Sequence, residues 1–434
     1  MRWESGDAAE AADAVVRRSY GKLVAFLAAR TGDVAGAEDA LADAFAAALA
    51  EWPRRGVPAN PEGWLSVVAR RKFIDAGRRR RHRDEAAAPL RLIAEELEAM
   101  SAAAEIPDER LRLMFACAHP AIDPAIRAPL ILQAILGFDA ATIASAFLVA
   151  PATMSQRLVR AKGKIRQAGI PFRVPNADEI GERLDAVLSA IYAVFAEGWA
   201  DPAGADARQR GLAAEGIWLG RLVVSLMPGE PEALGLLALM LHAEARRDAR
   251  RDADGNYVPL AEQNPALWNA RLIDEAEAIL LRASAMGLAG RYQLEAAVQS
   301  AHAARRRTGS TEWGAIAEFY DALLTITGSP VVAINRAVAI GESSGAEAGL
   351  AALDAIAGDS RLADYQPYWA ARADLLARAG SALLARGAYQ RAIGLEPDPA
   401  VRRFLQQRQS RVAAPAAGAR QWKRQIFGGS VDGG

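Results

Sequence analysis

The chain has 434 residues, enough for two to four domains, and 52% of them are hydrophobic, enough for packed cores. Lys plus Arg and Asp plus Glu are equal at 52 each, so the average charge carries no nucleic-acid signal and only local clusters can. The single cysteine, Cys117, excludes an intrachain disulfide framework. The first residues carry Glu4, Asp7 and Glu10 without an apolar signal core, and no apolar run reaches transmembrane length. A cytoplasmic protein with no membrane partner is expected.

Ala, Leu, Arg and Glu dominate and alternating β-branched runs are few, which predicts an all-α fold. Pro and Gly clusters mark the joints. They divide the chain into a small helical domain at 8–83, a polar linker at 84–106, a second small domain at 107–170, helical hairpins over 176–410 and a flexible tail at 413–434. "GIPFRVP", Gly169–Pro175, is expected to be a hinge.

In the first domain Asp33 precedes a periodic segment. Ala37, Leu41, Ala44, Phe45, Ala48, Leu49 and Trp52 form one apolar face, and Asp39 and Asp43 fall opposite, one turn apart. That acidic edge is either a solvated face or a docking surface for a basic partner. A Pro- and Gly-rich loop at 53–63 follows, and a helix is predicted over 61–81 with Pro61 in its first turn. The basic stretch "ARRKFIDAGRRRRHR", Ala69–Arg83, gives it Arg70, Arg71, Lys72, Arg78, Arg79, Arg80, Arg81 and Arg83, against Asp75 alone. Such density repels itself unless a polyanion neutralises it. Asn60 offers donors and acceptors in the loop, and Trp64 and Phe73 are either core residues or stacking surfaces for unpaired bases.

The second domain contains "FDAATIASAFLVAPATMSQRLVRAKGKIRQAG", Phe138–Gly169, which reads as a helix-turn-helix. Ile143, Ala144 and Phe147 give its first helix an apolar side, Leu148–Pro151 make the turn, and a second helix starts at Ala152. Thr153, Ser155, Gln156, Arg157 and Arg160 can reach base edges in a major groove, and Lys162 and Lys164 can hold phosphates. An ordinary helical hairpin would show similar spacing.

In the C-terminal half, Trp369, Gly380, Ala385, Tyr389, Ala392 and Pro397 stand at the spacings of a tetratricopeptide repeat, with degenerate repeats before them. A concave face for a peptide or protein partner is one expectation, and a structural cap is the other. The histidines His82, His119, His242 and His302 are scattered, and "DADGN", Asp252–Asn256, departs from a calcium loop because its twelfth position is Gln263. No phosphate-binding loop or nucleophile elbow is present. Neither an enzyme nor a cofactor is expected.

These pieces in this order resemble the extracytoplasmic-function sigma factors, in the subgroup with a long C-terminal tetratricopeptide-like extension. "SYGKLVAFLAARTGDVAGAEDALADAFAAALAEWPRRGVPANPEGWL" is similar to the opening of that group's region 2. "ERLRLMFACAHPAID", followed by "QRLVRAKGKIRQAGIPFRVP", is similar to its region 4, and "GRYQLEAAVQSAHA", "TEWGAIAEFYDALL", "SPVVAINRAVAI" and "ARADLLARAG" resemble blocks of its extension. Thr142 stands where the family carries Glu, and Arg291 where it tends to have Pro. The resemblance implies a promoter-specificity subunit with core RNA polymerase and promoter DNA as partners. The helix around Asp39 and Asp43 would dock on polymerase. Asn60, Trp64, Arg70, Arg71, Lys72 and Arg78–Arg81 would engage and melt the −10 element. Thr153, Ser155, Gln156, Arg157, Arg160, Lys162 and Lys164 would read the −35 element. The alternative is a stand-alone helix-turn-helix regulator with a repeat sensor, which leaves the acidic helix, loop and basic helix unexplained.

Overall fold

The computed structural model describes residues 19–81, 108–147, 149–176, 179–199, 207–287 and 289–412. The expected linker at 84–106, the tail at 413–434, and His82 and Arg83 lie outside the described residues. Helices dominate, as the composition requires, and the extended pairing among the described residues is an isolated bridge between Arg251 and Tyr257. The chain forms two compact units, one to residue 226 (without 201–206) and one beyond it.

In the first unit α1 covers 19–31 and α2 covers Val34–Arg55. Asp33 caps α2, its carboxylate accepting from Gly36 N at 3.0 Å. Val34, Ala37, Ala40, Leu41, Ala44, Ala48 and Trp52 are its buried stripe. Leu49, expected on that stripe, is 54% exposed, because it lies one residue on from Ala48, about 100° round the helix. Pro53 sits inside the last turn, so α2 runs on to Arg55, and Gly56 closes it at φ 85°. The loop expected over 53–63 is therefore shorter, 56–60. Asn60 then caps α3, Pro61–Arg81, by accepting from Gly63 N at 2.9 Å.

The helix-turn-helix is present as α6, Ala140–Ala146, and α7, Pro151–Gln167, behind α4, Arg110–Cys117, and α5, Pro124–Leu136. Asp139 begins α6, accepting from Thr142 N at 2.7 Å and from its hydroxyl at 3.0 Å. Along α7, Met154, Leu158, Ala161 and Ile165 are buried at helical spacing. Helices α8, Ile180–Trp199, and α9, Ala207–Leu226, form a hairpin in which a Cβ on Gly216 would meet the Phe195 backbone. Arg183 donates to Phe115 O at 2.9 Å, and the Arg110 guanidinium lies 5.2 Å from the Trp218 ring, so this hairpin packs on the second domain. The expected hinge at Gly169–Pro175 does not divide the compact units; the division falls after Leu226.

The second unit stacks helical hairpins: Pro231–Glu244, Ala270–Ser284, Arg291–Ala303, Trp313–Thr327, Pro330–Ser344, Ala346–Asp354, Gln366–Arg378, Ala382–Leu395 and Pro399–Arg411. Ala385, Tyr389 and Ala392 are buried together with Ala373, Leu376 and Leu405. Gly380 takes the left-handed turn at φ 77°. Trp369 is only half-buried, its indole N–H donating to Ala363 O at 2.9 Å, and its neighbour Tyr368 enters the core instead. In "DADGN" the Asp252 carboxylate accepts from Asp254 N at 3.0 Å and Asn256 N at 2.8 Å, which makes it a structural turn.

Candidate nucleic-acid interface

Burial decides which of the expected cations can meet a phosphate. On α3, Leu65, Ser66, Ala69 and Arg70 form the inward face, while Arg71, Lys72 and Asp75 are exposed. Arg70, expected to track phosphates, is 8% exposed, because it lies one turn on from Ser66 on the face packed inward. Trp64 is half-buried, its ring 5.6 Å from Trp52 in an edge-to-face pair, so one side of it is already engaged. Asn60 is exposed with its carbonyl oxygen used in the cap. The backbone of Arg78–Arg81 continues α3, and their side chains lie outside the described residues. At the start of α3, Glu62 accepts from the Ser19 hydroxyl at 2.5 Å and lies 3.8 Å from Lys22, tying α3 to α1.

On α2, Asp39 and Asp43 are both exposed, one turn apart, on the side away from Leu41 and Ala44. On α7, Thr153, Ser155, Gln156, Arg157, Arg160 and Lys164 are all exposed. The N-terminal half of α7 therefore presents polar and basic groups to solvent, as an element entering a major groove must. Val159 lies within that surface, 65% exposed, and offers an apolar contact.

Lys162 differs from expectation. It is 9% exposed and its ammonium donates to Glu38 Oε2 on α2, so it is not on the open face. The physical reason is position: Lys162 lies one turn on from the buried Leu158, and α2 packs against α7. Arg166, one turn on, lies 3.4 Å from Asp33 Oδ2, whose other oxygen caps α2. Glu38 Oε1 is buried without a hydrogen-bond partner, and burial pushes the Glu38 carboxyl above the usual carboxylate range in spite of Lys162. Tyr20 of α1 lies against Gly137 at the end of α5, and a Cβ on Gly21 would overlap the Ile135 carbonyl oxygen. Sequence reasoning did not single out Tyr20, Gly21 or Glu38, and it placed Asp33 before the α2 segment without seeing its contact with Arg166. The four-residue spacing of Lys162 and Arg166 puts them on one face, but Glu38 is 124 residues away.

Among the described residues no group of His, Cys, Asp and Glu could hold a metal, and no helix is long and apolar enough to cross a membrane. Cys117 is fully buried, and burial pushes its thiol well above the usual range, so it is held as a neutral packing group.

Comparison with known proteins places these elements. Residues 15–83, which hold α1, α2 and α3, match sigma-70 region 2. Residues 183–284 match a family of unknown function, DUF6596. The chain is 39% identical over 395 residues to an uncharacterized protein of Rhizobium meliloti (strain 1021), covering 89% of this chain and 93% of that one. No solved structure matches.

Proposed function

We propose that this chain, whose residues 15–83 match sigma-70 region 2, is an alternative sigma factor that binds core RNA polymerase and directs promoter recognition and melting. The observation that carries the reading is the region 2 match over α1–α3 combined with a helix-turn-helix whose outer face is polar and basic. A stand-alone regulator needs the second of these and has no use for the first.

In this reading Asp39 and Asp43 dock on polymerase through their exposed edge. The 56–60 loop captures an unpaired base of the −10 element, and Arg71 and Lys72 hold the strand's phosphates. Asn60 contributes its amide N–H groups, since its carbonyl caps α3. Gln156, Arg157 and Arg160 read the −35 element and Lys164 holds its backbone. The stacked hairpins beyond residue 226 are a regulatory domain of the extracytoplasmic-function subgroup, with a concave tetratricopeptide-like face for a peptide or protein partner. The protein works in the cytoplasm and is not an enzyme.

The test is in vitro transcription with purified core polymerase on genomic templates. Discrete new start sites that require this chain are expected, and their loss on Arg157→Ala with Arg160→Ala. A chain that neither co-elutes with core nor alters its start sites refutes the reading.

A further inference from the structure

We propose that the second unit binds a small dianionic oxyanion, a dicarboxylate or a phosphate ester, at Arg246 and Arg305 beside a strap formed by residues 251–263. Binding there needs neither polymerase nor DNA, so the site stands or falls apart from the sigma-factor reading.

The strap lies between the helices Pro231–Glu244 and Ala270–Ser284 and reaches the last helix, Pro399–Arg411. The Arg251 guanidinium donates to Asp398 Oδ2 at 2.6 Å, the Tyr257 and Phe404 rings meet edge-to-face at 5.5 Å, and Glu262 pairs with Arg408. The Asp252–Asn256 turn folds the strap back on itself, with Arg251 bridging to Tyr257. Arg305 holds its far end, donating to Ala261 O at 2.8 Å and Gln263 O at 2.6 Å. The start of the stack of hairpins is thereby joined to its end. A nucleic-acid strand needs an open row of cations, which a strap interrupts; a small ligand does not.

Beside the strap, cations gather without acids. Arg246 donates from Nε to His242 O at 3.3 Å and from Nη2 to Gln299 Oε1. These use two of its five N–H groups, and Nη1 makes no hydrogen bond to the described residues. Arg246 and Arg305 are both half-buried, yet neither has a carboxylate at ion-pair distance among the described residues. The acids of the same elements are already engaged: Asp398 by Arg251, Glu262 by Arg408, Glu244 by Arg247 and Glu295 by Arg291. Burial, then the charge of Arg250 and, less, that of Arg305, push the Arg246 guanidinium down to about 10, with the Tyr320 and Tyr257 phenols acting the other way. One turn before Arg246, His242 is 1% exposed with no hydrogen-bond partner at either ring nitrogen.

Cations this close repel one another, and no acid of the chain relieves them. A ligand can. Arg246 offers unused N–H groups, Arg305 a second charge, and Tyr320 a hydroxyl that burial keeps protonated, its phenol raised to about 12. Those are the donors that grip an oxyanion, and two uncompensated charges match a dianion.

The experiment measures the thermal unfolding midpoint of the full chain in succinate, inorganic phosphate or chloride at equal, millimolar-range ionic strength. A ligand of the folded state raises the midpoint with the logarithm of its concentration. A rise in succinate or phosphate beyond that in chloride is expected. Succinate alone marks a dicarboxylate, phosphate alone a phosphate ester, and both together a site that takes either dianion. Arg246→Gln and Arg305→Gln should each remove the rise. Tyr320→Phe should weaken apparent affinity about tenfold, the loss of one hydrogen bond to a charged group. Arg361→Gln, a surface partner of Asp359, should respond as the parent does. Helix content by circular dichroism screens out misfolded variants; should Arg246→Gln fail to fold, Tyr320→Phe, which loses one hydroxyl, decides. Equal midpoints in the three salts, or a rise unchanged in folded Arg246→Gln or in Tyr320→Phe, overturn the site.

Discussion

The sharpest consequence of the α3 geometry is that three consecutive cations should behave differently. Arg71 and Lys72 are exposed, and Arg70 is 8% exposed. Each phosphate contact contributes about 0.9 to the slope of log affinity against log salt on duplex DNA, and about 0.7 on a single strand. Between 50 and 200 mM salt one duplex contact is therefore worth about a 3.5-fold change in affinity, and one single-strand contact roughly 2.6-fold. Arg71→Ala and Lys72→Ala should each flatten the slope by one such step. Arg70→Ala should leave the slope unchanged and lower the unfolding midpoint instead, because it removes a packed side chain. The assay is fluorescence anisotropy of the polymerase complex on a promoter fragment with a pre-opened −10 bubble, titrated at several salt concentrations. If Arg70→Ala flattens the slope as much as its neighbours do, with unchanged stability, burial is not what sorts these residues.

Asp39→Arg with Asp43→Arg should abolish co-purification with core while helix content stays constant; full binding by that folded variant would remove the docking edge from α2. Replacing residues 56–60 with Gly and Ser should spare closed complexes and cut permanganate reactivity of −10 thymines, with partial rescue on a pre-melted template; equal reactivity would make the loop a connector. Leu158→Ala, at a position 1% exposed under the recognition helix, should cost about 2–5 kcal/mol in chemical denaturation, and a loss well below that would mean the site collapses freely. In the second unit, burial first and then the charge of Arg246 push His242 and His302 from 6.5 to about 4. Their folded values lie below the unfolded one, so stability is whole above about pH 6.5 and is lost as pH falls toward about 4, at about 2 kcal/mol per histidine between pH 7 and pH 5. Urea midpoints that are flat across that range would refute the burial argument.

Local signals carried most of what was legible. Pro61 announces a helix start because proline lacks the N–H that a first turn leaves unpaired, and the structure begins α3 there; Pro151, expected as the last residue of the turn, is for the same reason the first residue of α7 rather than Ala152. The apolar stripe of α2 followed from its period, and Leu49 left it because it lies one residue on from Ala48. The 53–63 loop was overextended because Pro53 read as a breaker, yet in a last turn it removes only one hydrogen bond, and Gly56 is the residue that stops the helix. The turn at Asp252–Asn256 was recognisable as something other than a calcium loop from its spacing, and its hydrogen bonds show what it does instead.

Lys162 was not legible for a different reason, and it separates two kinds of information. Arg157, Arg160, Lys162 and Lys164 are equivalent as residue types on one helix, and helical phase alone predicts only that 162 follows the buried 161. Whether that flank meets DNA or protein depends on a carboxylate 124 residues away, on a helix that belongs to another module. The same holds for the α8–α9 hairpin, assigned to the extension by its composition but packed on the second domain through Arg183 and Arg110. Periodicity tells which side of a helix is covered; only tertiary structure tells by what.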